Sequence, residues 1–170
     1  MYTTKDLIQD LEQFNEWAAT LLNIEEKQFF EPIAEGKWGI AEIITHISYW
    51  DTYILTGILP EMKQDTDIQS IEIEKLNQEA EVHARSGLSQ EQIIQEQQQA
   101  RNALLIALKA RYNEDEAFFD TTFQLNGESL DEHSGYPHSV FNYFSGFVWH
   151  DNHHRRQIEG FLKEQKQSVE

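Results

Sequence analysis

The chain has no cysteine among its 170 residues. Disulfides, thiolate zinc sites, iron–sulfur clusters and cysteine nucleophiles are excluded by that one absence. Basic residues are scarce: 13 Lys and Arg stand against 30 Asp and Glu, a net charge of −17. Affinity for nucleic acid comes from Lys/Arg patches that neutralise phosphates, and no patch of useful size is present. Anionic membrane surfaces are disfavoured for the same reason. No apolar run approaches the roughly 20 residues that a membrane-spanning helix needs. The first residues, Met1 to Asp6, show neither the basic start nor the apolar stretch of a signal peptide. These absences point to a cytoplasmic protein whose partner is a small molecule rather than nucleic acid or a membrane.

What is present points to a packed globular chain. Hydrophobic residues make up 39% of it, too many for a disordered acidic tail. The length suits one domain spanning 1–170. Apolar residues recur at helical spacing. Leu7, Leu11, Phe14, Ala18, Leu21 and Leu22 follow a Thr3/Asp6 capping pair, and a second stripe runs Ile40, Ile43, Ile44, Ile47, Trp50, Ile54, Ile58 up to Pro60. Residues 61–69 are polar and acidic and read as a connection. Ser70 is placed to cap a third helix carrying Ile73, Leu76, Ala80 and Ala84, which Gly87 stops. Ser89 with Gln92 forms a capping box ahead of a fourth helical run through Leu108. The Gln-rich stretch 95–99 reads as that helix's solvated face. Residues 113–138 hold seven acids and no Lys or Arg, and read as a long loop, either a lid or a surface excursion. Phe123-Gln124-Leu125 is a candidate short strand within it. The final helix carries Val140, Phe141, Phe144, Phe147, Val148, Ile158, Phe161 and Leu162 on one face. Long helices with a crossover in the middle predict an all-α four-helix bundle.

The chemistry concentrates in the last helix, where His150-Asp151-Asn152-His153-His154-Arg155-Arg156-Gln157 interrupts the apolar pattern. Residues four apart lie about 40° apart in helical projection, so His150 and His154 stand side by side at the stripe's edge. His153 turns roughly 60° further toward solvent than His150. Two imidazoles at this spacing can aim nitrogens at one cation, with Zn–N distances of about 2.0–2.1 Å. His46, on the border of the second stripe beside Trp50 and one turn from Glu42, is the candidate third ligand. Three histidines leave a coordination position open, as catalytic sites require. A dinuclear carboxylate centre would need Glu-x-x-His on two helices, and only Asp151-x-x-His154 approximates it. The competing reading of each histidine is a packed, hydrogen-bonded core residue. His83, His133 and His138 have no pattern around them and are assigned to solvent or local loop contacts. Asp51, Asp151 and Arg155 also project into apolar stripes. Either they form a buried ion-pair network that fixes helix register, or a carboxylate among them orients a ligand histidine.

On these residues the sequence resembles the DinB-like superfamily of metal-binding four-helix bundles. The likeness is carried by Trp38, by His46 within Ala41-Glu42-Ile43-Ile44-Thr45-His46-Ile47, and by His150-x-x-His153-His154-Arg155-x-Gln157-Ile158. The stretch from Trp50-Asp51 to Leu76-Asn77 is most similar to the ClbS/DfsB-like branch. The resemblance implies an up-down-down-up bundle and a divalent metal, zinc or nickel, held by His46, His150 and His154. It also implies a homodimer. Members include thiol-dependent transferases and isomerases, and the ClbS-like branch includes proteins that hydrolyse an electrophilic genotoxin. The expected function is a metal-dependent hydrolase acting on a small electrophilic molecule, with Glu42, Tyr53 and Tyr143 as candidates to line its pocket. The alternatives are a metal-dependent transferase using a low-molecular-weight thiol, and a non-catalytic binding or sequestering bundle.

Overall fold

Thr3 starts the first helix by a reciprocal exchange with Asp6. Its backbone N–H donates to Asp6 Oδ2 at 2.8 Å, and Asp6 N–H donates to Thr3 Oγ1 at 3.2 Å. Helix α1, Thr4–Ala19, follows and ends in a 3-10 turn, Thr20–Asn23. The computed structural model describes residues 1–169. After a short α2, Glu26–Phe30, the chain enters α3, Ile40–Tyr53, through Gly39. A Cβ at Gly39 would lie 2.4 Å from the Glu31 carbonyl oxygen, so the close approach of the two segments demands glycine. A π-helical turn, Ile54–Ile58, and a 3-10 turn, Leu59–Glu61, carry the chain out of α3.

The crossover contains α4, Ile73–Ala84, capped at Glu72 rather than Ser70. Ser70 is tied elsewhere: its N–H donates to Asn126 Oδ1 at 2.9 Å. Ile73, expected on the buried face, is exposed at the helix's first turn. Gly87, with φ of +95°, reverses the chain after α4. Ser89 and Gln92 then form the anticipated capping box of α5, Gln90–Glu114. The final helix, α6, is Val140–Val169.

Two apolar clusters give the direction of every long helix. One gathers Leu7 and Leu11 of α1, Ile54 and Ile58 beyond α3, Leu104 and Leu108 of α5, and Val140 and Phe144 of α6. The other gathers Phe14 and Ala18, Ile40 and Ile44, Ile93 and Ile94, and Ile158 and Phe161. Helices α1 and α6 therefore run from the first cluster to the second, and α3 and α5 run back. The bundle is up-down-down-up, and its core is split into two apolar layers. No helix among the described residues is long and apolar enough to cross a membrane.

Between the layers lies a buried ionic cluster. Arg101 donates to both oxygens of Asp51 at 2.8 and 3.1 Å and to both of Asp151 at 2.8 and 3.0 Å. Its fifth N–H reaches the Leu11 carbonyl at 3.1 Å, so every guanidinium donor is used. The expected network at Asp51 and Asp151 exists, but its cation is Arg101 rather than Arg155. Arg155 lies outside the cluster, pairing with Glu159 at 2.9 Å and stacking over Trp17. The Gln-rich stretch also departs from expectation. Gln97 is fully buried and donates to Asn15 Oδ1 at 3.1 Å, because α1 packs against that face of α5.

Residues 113–138 form structured end-packing rather than a free loop. A 3-10 turn, Glu116–Asp120, buries Phe118 and Phe119 in the first apolar cluster. Strand β1, Asp67–Ile68, of the crossover pairs in parallel with β2, Gln124–Leu125, confirming two residues of the anticipated strand. His138 is buried and stacked on Phe123, and His83 bonds Glu96 at 2.8 Å.

Candidate metal centre

Helices α3 and α6 run antiparallel, so His46 meets His150 and His154 at mid-height. His46 Nε2 lies 3.1 Å from His150 Nε2, and His154 Nε2 lies 3.1 Å from the same atom. The ligating atoms of the three residues all fall within 4.8 Å of one another. Two nitrogens on one tetrahedral zinc, with bonds of 2.0–2.1 Å, stand about 3.3 Å apart.

The outer nitrogens fix the protonation state. His46 Nδ1 faces Asn77 Oδ1 at 2.8 Å, and His154 Nδ1 faces Gln157 Oε1 at 2.8 Å. An amide oxygen only accepts, so both Nδ1 atoms carry hydrogens and both Nε2 atoms present lone pairs. Two such lone pairs, on His46 and His154, converge on His150 Nε2. His150 Nε2–H could satisfy only one of its two neighbours, leaving another pair of nitrogens facing at 3.1 Å with no proton between them. Burial pushes the pKa of His46 down to about 4 and that of His150 to about 3, with the neighbouring histidines adding to the effect. His154 is also lowered, chiefly by burial. The rings are therefore neutral at physiological pH, the form in which imidazole binds a metal. The donor set fits a divalent cation.

The centre opens into a cavity of about 570 Å³ walled by Trp38, Trp50, Phe147 and Trp149, with Ile73 and Asn77 contributed by the crossover. His153 lies at its rim, stacked on the exposed Trp149. Among the described residues, no Asp, Glu, Lys or Arg lines it. Residues 113–138 contribute nothing to this wall, so the segment anticipated as a lid does not cover the histidines. A second cavity, about 510 Å³, lies among Tyr49, Thr52, Tyr53 and Glu96 but brings together no comparable ligand set among the described residues.

The three other sequence candidates lie away from the histidine cavity. Glu42 accepts from Gly39 N–H at 3.0 Å and from Arg85 Nε at 3.2 Å, which makes it a helix cap. The Tyr53 hydroxyl accepts from Ile71 N–H at 2.7 Å. Tyr143 packs against Phe144 and Phe147, where burial raises its pKa. The sequence reasoning missed Asn77 and the ring-facing role of Gln157. The i,i+3 spacing of His154 and Gln157 on one helix was a usable signal; Asn77 offered none.

A sequence model described as the DinB superfamily matches residues 9–158. No curated protein matches the chain. Among solved structures it is similar to one described as "YfiT from Bacillus subtilis is a probable metal-dependent hydrolase with an unusual four-helix bundle topology". The TM-score is 0.71 at 15% identity, covering 95% of this chain and 87% of that one.

Proposed function

The chain belongs to the DinB superfamily, and from that premise we propose that it is a metal-dependent hydrolase of a small, uncharged electrophile. His46, His150 and His154 would hold a divalent cation, zinc or nickel. The observation that carries this reading is the convergence of neutral imidazole nitrogens at 3.1 Å with too few protons to join them. When bound there, such a cation lowers the pKa of a coordinated water toward about 7 and polarises an electrophilic group. The protein's own contribution is orientation and exclusion. Asn77 and Gln157 aim two of the rings, and the indoles of Trp38, Trp50 and Trp149 offer flat apolar surfaces beside them. The description of YfiT as a probable metal-dependent hydrolase supports the same direction.

The uncharged lining supports this reading over thiol transfer. Common low-molecular-weight thiols carry carboxylates, and a site for them would offer Lys or Arg. Arg155 is paired with Glu159, and Arg156 donates to the Asn152 carbonyl. A purely structural bundle would need no cavity beside its histidines. Elemental analysis of protein purified without an affinity tag should find close to one metal per chain, and His154→Ala should lose it. Protein still metal-free after zinc and nickel are offered would refute the proposal.

A further inference from the structure

Asn77 is the point at which the crossover touches the candidate centre. It stands in the first turns of α4, 31 residues from His46 and 27 from Trp50, and reaches both with one atom. Trp50 Nε1–H lies 3.3 Å from Asn77 Oδ1, and His46 Nδ1 lies 2.8 Å from it. An indole N–H can only donate, so the Asn77 atom facing Trp50 must be its oxygen. That settles the amide's orientation, and the same oxygen then demands a hydrogen on His46 Nδ1. The lone pair of His46 is thereby confined to Nε2, the nitrogen pointing at His150. The chain of consequence runs from an indole through an amide to an imidazole, and neither of the two links depends on charge.

We propose that Asn77 is a positioning residue: it locks His46 in the Nδ1–H tautomer and so couples the docking of α4 to cation binding. The proposal rests on the reading that the three imidazoles hold a metal. It adds that the crossover helix, and not the bundle alone, completes the centre. His154 has its lock, Gln157, on its own helix, whereas the lock of His46 is borrowed from a separate segment. Because coupling is reciprocal, a bound cation should in turn steady α4.

The test compares Asn77→Leu, which removes the acceptor at similar size, with Asn77→Asp, which restores one. Zinc affinity is read by competition with a chromogenic chelator, and the His46 tautomer by nitrogen-15 NMR of metal-free protein. Loss of an outer partner of this kind weakens metal binding by about 10–100-fold. The Leu variant should show that loss, with His46 no longer confined to one tautomer. The Asp variant should recover affinity close to the wild-type value, and zinc should slow hydrogen exchange in α4 of the wild type. Wild-type affinity in a folded Leu variant would overturn the role of Asn77 while leaving the metal centre intact. If the Leu variant does not fold, two results still decide: an Nε2–H tautomer in the wild type or lost affinity in Asn77→Asp would overturn it. Absence of zinc binding by the wild type would instead remove the metal reading on which the proposal stands.

Discussion

Two polar clusters meet on α6, where Asp151 follows His150, and they are built in opposite ways. At Arg101 five N–H donors find five acceptors, and nothing is left over. At the histidines, nitrogens converge at 3.1 Å with fewer hydrogens than contacts. The first cluster is complete as protein. The second is short of hydrogens, and under the proposed function a cation would complete it. The ionic cluster is the deeper of the two, since His150 and His154 are only half-buried, but what separates the two designs is the saturation of their hydrogen-bonding groups.

The sharpest way to break the comparison is to unbalance the saturated cluster. Arg101→Met leaves Asp51 and Asp151 buried without a counter-charge, and removing one partner of such a pair costs about 3–5 kcal/mol. Burial already pushes Asp51 up to about 6 against the pull of the arginine, so without Arg101 it would take up a proton near neutral pH and the loss should sit at the lower end of that range. Urea denaturation should register that loss in full. Metal-free His150→Ala should cost far less by the same measurement, because it relieves an unsatisfied contact.

A gentler probe is pH. Imidazoles with an unfolded-state value of 6.5 fall to about 4 at His46 and about 3 at His150 on folding. Between those values these two histidines bind more protons in the unfolded chain than in the folded one. The stability of metal-free protein should therefore be fully present above about pH 6.5 and decline as the pH falls toward 4, by up to about 1.4 kcal/mol per pH unit for each histidine. Denaturation midpoints measured between pH 8 and 4 check this. Asp51 and Asp151, both raised by burial, take up protons in the folded state over part of the same window and offset part of this decline, so a profile that does not change in His46→Ala, rather than a flat one, would mean that the ring is not held neutral. Arg101, fixed as a cation between its carboxylates, adds no titration there.

Local features were legible in the sequence because their partners are local. The Thr3/Asp6 and Ser89/Gln92 boxes are three-residue exchanges, and His150 and His154 are one turn apart on a single helix. Asp51 and Asp151 announced themselves as charges in apolar stripes. Their cation did not, because Arg101 follows a Gln-rich stretch that looks solvated, and both its partners lie 50 residues away. Arg155 was the wrong arginine for the same reason: helical projection locates a side chain but cannot say which distant helix answers it. Glu42 shows the reverse error. Its place three residues after Gly39 marked a cap, and reading it as a pocket residue overlooked that local signal. Asn77 had no local mark at all, since its role exists only once the crossover is docked.

Anomalous diffraction at the zinc edge, from crystals of zinc-loaded protein, tests the central claim most directly. The account predicts a single strong peak about 2.0–2.1 Å from Nε2 of His46, His150 and His154. A peak bound elsewhere, or none at the three histidines under saturating zinc, would contradict it.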